Sequence, residues 1–67
     1  MIVQPVVVKY GPNRYQAVMR VPGGGDVNLG YHATGIYAET ILTNARALLY
    51  LTNTQATILP IIQESTS

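Results

Sequence analysis

The chain of 67 residues contains no cysteine, no tryptophan and no phenylalanine. Without cysteine it can form neither a disulfide framework nor a zinc finger or iron–sulfur site, and it has no catalytic thiol. Charge is also scarce, because 10% of the residues are charged against about 25% in an average domain. One histidine and three acidic residues leave little material for a metal site. We therefore predict no cofactor, no metal and no enzymatic activity.

Long apolar runs are missing as well. The longest, Ala47–Leu51 and Ile58–Ile62, are far shorter than the ~20 residues that cross a bilayer. The N-terminus also lacks the basic segment that precedes the apolar part of a signal peptide. The length fits one domain over residues 1–67, and we predict a cytoplasmic protein without membrane contact.

Apolar residues, in contrast, make up 48% of the chain. A domain of this size buries only about 60% of the surface that its unfolded chain exposes, so its stability is marginal. A monomer with so much apolar surface and so little charge would expose part of that surface to water. We therefore predict self-association into a homodimer or a larger homo-oligomer.

The residue pattern predicts four strands and one helix. Tyr15–Val21 alternates apolar and polar residues as a half-buried strand does, and the apolar residues that follow Thr34 recur at helical spacing. Thr34 is a suitable N-cap for that helix. The predicted elements are strands Ile2–Tyr10, Tyr15–Val21 and Asp26–His32, helix Ile36–Leu51, and strand Ala56–Gln63.

The two prolines inside predicted strands carry further expectations, because proline cannot donate a ladder hydrogen bond. Pro5 should place the start of the first strand at an edge or outside the pairing, and Pro60 should lie at an edge or a bulge. We expect Thr52, Asn53 and Thr54 to stop the helix, and Glu64–Ser67 to form a frayed polar tail.

The order β-β-β-α-β predicts a two-layer α+β domain, with one helix packed on one face of a mostly antiparallel sheet. The predicted helical stripe toward the sheet contains Ala38, Ile41, Leu42, Ala45, Leu48 and Leu49. Alternation places Tyr15, Ala17, Met19 and Val21 on one face of the second strand. In the third strand it places Val27, Leu29 and Tyr31 opposite Asn28, Gly30 and His32. The sheet face without a helix should be a docking surface.

Several short motifs resemble those of the HicB-type antitoxin domain. The run Val6-Val7-Val8 and a turn precede Tyr15-Gln16-Ala17-Val18-Met19-Arg20-Val21-Pro22-Gly23, and the helix carries Asn44-Ala45-Arg46-Ala47-Leu48-Leu49. The resemblance spans residues 5 to 62. It implies a HicB-like fold and a cytoplasmic homo-oligomer without catalysis, which binds and masks a small basic RNA-cleaving toxin.

The chain also departs from this family. Gly24 stands where a cysteine often follows the Pro-Gly corner, Ala33-Thr34-Gly35 replaces a Gly-Asp-Thr type helix start, and no DNA-binding module follows the last strand. We therefore expect a stand-alone core. Its net charge of +1 matches a basic toxin poorly, because such masking favours complementary charge.

Three functions remain open on the sequence. The first is a non-catalytic, self-associating protein-binding module, with contacts from aromatic, methionine, arginine and histidine residues: Tyr15, Met19, Arg20, Tyr31 and His32. The second is a nucleic-acid-binding homo-oligomer that repeats Lys9, Arg14, Arg20 and Arg46 by symmetry. The third, and least favoured, is an enzyme that uses His32 with Asp26.

Overall fold

The computed structural model describes residues 2–23, 25–52 and 55–65. The elements in chain order are β1 (Ile2–Gly11), β2 (Arg14–Val21), β3 (Gly25–His32), α1 (Gly35–Thr52), β4 (Thr57–Ile58) and β5 (Ile62–Ser65). The five strands form one mixed sheet, and α1 packs on one of its faces. The predicted two-layer α+β domain is therefore confirmed.

The sheet has β1 at its centre. β2 pairs antiparallel with one side of β1, and β3 pairs antiparallel with β2. On the other side of β1, β4 and β5 pair with it in parallel. The parallel pairing follows from the helix, because α1 returns the chain to the end of the sheet at which β1 begins.

Pro60 interrupts the last segment and divides the single predicted strand into β4 and β5. Val3 pairs with Ile58 and Val6 pairs with Ile62, so three steps along β1 match four steps along the last segment. One extra residue therefore bulges out beside β1. The prediction that Pro60 lies at an edge or a bulge is confirmed on both counts.

The prediction for Pro5 is wrong. Pro5 is buried in the central strand and pairs with Met19 of β2. Val3 accepts a hydrogen bond from the backbone N–H of Leu59, so the odd-numbered residues of β1 direct their backbone groups toward the last segment. Pro5 therefore lacks its N–H on the side where Pro60 has already interrupted the ladder, and the pairing with β2 loses no hydrogen bond.

The predicted polar tail also requires correction. Glu64 and Ser65 belong to β5 and pair with Val8 and Lys9 of β1. Residues 66 and 67 lie outside the described residues, as do Gly24 and two residues of the predicted helix stop, Asn53 and Thr54.

The core lies between the sheet and α1, and it is formed by Val3, Val7, Ala17, Met19, Ala38 and Leu42. Ala17 and Met19 face the helix, as their alternation in β2 predicts. The side chain of Thr34 accepts a hydrogen bond from the backbone N–H of Tyr37 at 3.2 Å, which confirms Thr34 as the N-cap. Leu48, however, belongs to the predicted stripe and is 65% exposed.

β3 contains a bulge that the sequence pattern does not predict. Val18 pairs with Asn28 and Gln16 pairs with Tyr31, so two steps along β2 match three along β3. Gly30 has a φ of 101°, and its backbone N–H donates to the Asn28 side-chain oxygen at 2.9 Å. Glycine adopts this backbone conformation without the strain that a Cβ would add.

The bulge reverses the faces of the residues that follow it. The sequence predicts Tyr31 on the face of Val27 and Leu29, and His32 on the opposite face; this prediction is wrong. His32 pairs with Tyr15, whose ring packs beside the start of α1. Tyr31 lies on the sheet face away from α1, which we call the open face and which also carries Val8, Gln16, Val18 and Arg20.

Candidate interaction surface

The five predicted partner-binding residues do not form one surface. Tyr15 and His32 are half-buried on the helix side of the sheet, and Met19 is buried in the core. Arg20 and Tyr31 lie on the open face. The structure therefore brings Arg20 and Tyr31 to one side of the sheet and the other three to the opposite side.

An apolar groove lies between β3 and α1. Its volume is about 360 Å³, and Met19 forms part of its floor. Two exposed side chains stand at its rim, Val27 at 49% and Leu48 at 65% exposure. We call the groove and its rim the β3–α1 surface. Besides Met19, Val27 and Leu48, it is lined by Val3, Val21, Leu29, Ala45, Leu49 and Thr52.

No charged side chain of the described residues lines the β3–α1 surface. The two charged residues of α1, Glu39 and Arg46, are seven positions apart and therefore share the opposite flank of the helix. There Glu39 accepts a hydrogen bond from Gln63 at 2.8 Å, and Arg46 lines a cavity together with Ile58 of β4. The surface beside β3 is thus apolar and uncharged.

β3 is an edge strand. It pairs with β2 on one side, and no strand of the described residues pairs with its other side. Edge strands are commonly protected by lysine, by proline or by charged residues that point inward. β3 contains neither lysine nor proline. Its one charged residue, Asp26, lies opposite Arg20 of β2 in the strand register.

An ion pair crosses the open face. Arg20 of β2 reaches across β1 to Glu64 of β5, with Nη1–Oε1 and Nη2–Oε2 distances of 2.7 and 3.0 Å. Val6 of β1 lies between them in the sheet and is fully buried. The mutual hydrogen bonds raise the pKa of Arg20 and lower the pKa of Glu64, partly opposed by desolvation.

At one end of the open face, an arginine and two tyrosines form a cluster. The Arg14 guanidinium carbon lies 5.2 Å from the centroid of the Tyr31 ring, in cation–π range. The rings of Tyr10 and Tyr31 are 5.9 Å apart and tilted by 54°. Tyr10 also donates a hydrogen bond to the side-chain oxygen of Gln16 at 2.8 Å. The cluster presents exposed aromatic surface beside one positive charge.

The four cations of the nucleic-acid alternative do not converge. Arg14 and Arg20 lie on the open face, where Glu64 pairs with Arg20. Lys9 pairs with Tyr15 on the helix side of the sheet. Arg46 borders a cavity of about 460 Å³ on the outer flank of α1, and its Nε is buried without a hydrogen-bond partner among the described residues. One protomer thus presents no continuous basic surface over these positions.

The described part of the chain holds no group of three or more histidine, cysteine, aspartate or glutamate side chains that could bind a metal ion. His32 and Asp26, the pair of the enzymatic alternative, lie at opposite ends of β3. Over residues 2–23, 25–52 and 55–65, no helix has both the length and the apolar character needed to cross a membrane.

Sequence reasoning did not identify Val27 and Leu48 as surface residues. Helical spacing assigns Leu48 to the core stripe, and alternation assigns Val27 to the helix-facing side of its strand. Both side chains do point into the space between β3 and α1. They remain exposed because β3 is an edge strand and the groove beside it is unfilled. The apolar share of the sequence signals such a surface without locating it.

Comparison with known proteins gives no family for this chain: no family model, curated protein or solved structure matches it. The resemblance to the HicB-type domain therefore rests on the short motifs alone.

Proposed function

We propose that this protein is a non-catalytic protein-binding module that self-associates, and that a second copy of the chain covers the β3–α1 surface. The observation that carries the proposal is the juxtaposition of an uncharged apolar groove with an unpaired strand edge. Exposed apolar surface next to a sheet edge is typical of interaction sites.

The lack of charge favours a second copy as the occupant. A two-fold symmetric contact brings the same patch of both subunits together, so a charged patch would face its own charge. The β3–α1 surface avoids this repulsion, because Glu39 and Arg46 lie on the other flank of α1. A basic or acidic partner, in contrast, would find no complementary charge there.

The first test is the mass of the protein in solution, measured by light scattering over a range of concentrations at low and high salt. We expect a mass of at least twice the 7.3 kDa of the chain. Because the contact is apolar, high salt should not dissociate the assembly. A 7.3 kDa species at every concentration would contradict the proposal.

A matched pair of variants locates the contact. Leu48→Lys places a charge in the β3–α1 surface and should shift the protein toward the monomer. Ala47→Lys places the same charge on the neighbouring exposed residue, which points away from the groove, and should leave the mass unchanged. Since both residues belong to the same helical turn, the helix dipole affects the two lysines alike. Equal behaviour of the two variants would place the contact elsewhere.

Inhibition of a small RNA-cleaving toxin, which the HicB-type resemblance implies, extends the same proposal to a second partner. We place that partner on the open face, where Tyr31 is 53% exposed and Arg20 is accessible. A double variant Arg20→Ala and Tyr31→Ala should then abolish inhibition in a ribonuclease assay with the toxin. Tyr15→Ala suits this test poorly, because Tyr15 packs against the core.

Nucleic-acid binding stays the alternative, and the cluster of Arg14, Tyr10 and Tyr31 is the observation that favours it. Tyrosine rings can stack on bases, and each neutralised phosphate of a single strand adds about −0.7 to the slope of log affinity against log salt. Titration of a labelled single-stranded oligonucleotide at several salt concentrations tests this alternative. An assembly that shows no binding even at low salt excludes it.

A further inference from the structure

The unpaired edge of β3 presents a short and specific set of backbone groups. Successive residues of a strand direct their N–H and C=O groups to opposite sides. The Val3 carbonyl accepts from Leu59 of the last segment, so the backbone groups of the even residues of β1 point to the other side and bond to β2. These even residues pair with even residues of β2, so the odd residues of β2 direct their backbone groups to β3. Met19 of β2 therefore directs its backbone groups to Val27.

It follows that the two neighbours of Val27, which are Asp26 and Asn28, direct their N–H and C=O groups away from the sheet. The bulge limits this stretch on one side, because the backbone N–H of Gly30 is already bonded to the Asn28 side chain. On the other side, Gly25 begins the strand with a φ of 81°. A pairing strand thus finds its donors and acceptors at residues 26 and 28.

We infer that two copies of β3 pair antiparallel, with Val27 of one copy opposite Val27 of the second copy on the two-fold axis. This inference rests on the proposed self-association and specifies its geometry. In this register Asp26 faces Asn28 of the second copy, and Asn28 faces Asp26. The two pairs exchange four backbone hydrogen bonds, so every outward-facing group of these residues is satisfied.

The side chains favour this register over its two neighbours. A two-fold axis at Asp26 would place two aspartates directly opposite each other, and like charges in that position are destabilising. An axis at Asn28 would pair Asp26 with Gly30, whose N–H is already engaged. The axis at Val27 avoids both conflicts.

The same register matches side chains on both faces. On the open face, the Asn28 side-chain oxygen accepts from Gly30, which leaves its NH₂ group to donate to the carboxylate of Asp26 in the second copy. On the helix side, the two Val27 side chains meet at a non-hydrogen-bonded pair, where cross-strand neighbours lie closest. Their contact begins at the rim of the β3–α1 surface and joins the grooves of the two copies.

The assembly would be one continuous ten-stranded sheet with both helices on the same face. A two-fold axis perpendicular to the sheet keeps the two open faces on one side, so the clusters around Arg14 and Tyr31 are repeated on a single surface. The dimer would thereby offer two identical contact points to a further partner.

Cysteine crosslinking tests the register directly, because the chain contains no cysteine of its own. In a non-hydrogen-bonded antiparallel pair the Cα atoms lie about 4.5 Å apart, within the range that a disulfide spans. Val27→Cys should therefore form a covalent dimer under mild oxidation. Tyr31→Cys is the matched control, because Tyr31 is similarly exposed on the same strand, four residues from the axis, and should not crosslink.

The outcomes separate this inference from the proposed function. Crosslinking of Val27→Cys alone supports the register. A wild-type dimer in which Val27→Cys stays uncrosslinked, or crosslinks no faster than Tyr31→Cys, overturns the strand pairing and leaves self-association standing. A wild-type monomer overturns both proposals.

Amide hydrogen exchange gives a second reading on the unmodified chain. In a monomer the backbone N–H groups of Asp26 and Asn28 face solvent. In the proposed dimer they are hydrogen-bonded, so their exchange should slow as the protein concentration rises. The amide of Val27 bonds to β2 in either state and serves as the internal reference. Exchange at Asp26 and Asn28 that is fast at every concentration overturns the pairing.

Discussion

Arg20 and Glu64, which are 44 positions apart in the chain, form a bidentate ion pair across the central strand, with an Nη1–Oε1 distance of 2.7 Å. The pair joins β2 to β5 and lies over the buried Val6. Among the described residues, β5 pairs with no strand other than β1. The ion pair therefore adds a second link between β5 and the rest of the sheet.

The ion pair predicts a loss of stability in acid. The hydrogen bonds from Arg20 keep the pKa of Glu64 below its usual value in the folded state. A lowered folded-state pKa adds stability above the unfolded pKa of about 4.3, and that stability is lost as the pH falls through the folded value. The pKa of Arg20 is raised and changes nothing at ordinary pH.

Thermal unfolding of the wild type and of Glu64→Gln between neutral and strongly acidic pH measures this effect. The variant should have a lower Tm at neutral pH, and the difference should shrink in acid, where Glu64 of the wild type is protonated. Arg20→Gln should reduce the acid dependence in the same way. A difference between wild type and Glu64→Gln that is the same at every pH would contradict the role of the ion pair.

The bulge in β3 predicts an asymmetry between two glycines. Gly30→Ala forces a Cβ into a backbone conformation with φ of 101°, which should reduce the free energy of unfolding by about 1–2 kcal/mol. Gly11→Ala is the control, because no atom beyond Gly11 and its two chain neighbours lies within 4 Å of the added Cβ, and no positive φ opposes it. Urea denaturation of both variants measures their free energies of unfolding. Equal losses of stability would mean that a side chain at position 30 causes no backbone strain.

The N-cap predicts a difference between two threonines. Thr34→Ala removes the acceptor for the Tyr37 N–H and should cost about 1 kcal/mol of stability. Thr40→Ala, inside the helix, removes only a hydroxyl that donates to the Ile36 carbonyl, so it should change stability little or raise it slightly. Circular dichroism during urea denaturation compares them. A Thr34→Ala variant as stable as the wild type would exclude a capping role.

Two large apolar residues of α1 should differ strongly in their contribution to the core. Leu42 is fully buried against the sheet, and Leu42→Ala should destabilise the fold by about 2–5 kcal/mol. Ile36 is 77% exposed on the same helix, and Ile36→Ala should change stability by less than about 0.5 kcal/mol. Comparable losses of stability in denaturation experiments would contradict the different burial of Leu42 and Ile36.

Part of the β3–α1 surface could be predicted from the sequence. Low charge and high apolar content predict self-association. The periodicities correctly direct Val27 toward the helix and Leu48 toward the sheet. The sequence does not show that β3 is an edge strand, because strand order depends on contacts between distant segments. Chemical type alone predicts the contact residues, but in the structure Met19 is buried and Tyr15 is half-buried.

Local physical chemistry decided the first three strands, the helix and its N-cap at Thr34, because alternation, helical spacing and a capping hydroxyl act over a few residues. The tertiary structure alone decided the central place of Pro5, the faces of Tyr31 and His32, and the ion pair between Arg20 and Glu64. The faces of Tyr31 and His32 depend on register, because a single extra residue opposite a neighbouring strand turns every later side chain to the other face. The central place of Pro5 and the ion pair depend on strand order, which places β1 between β2 and β5. Strand order and register are both set by pairing between strands, so they follow from the assembled sheet.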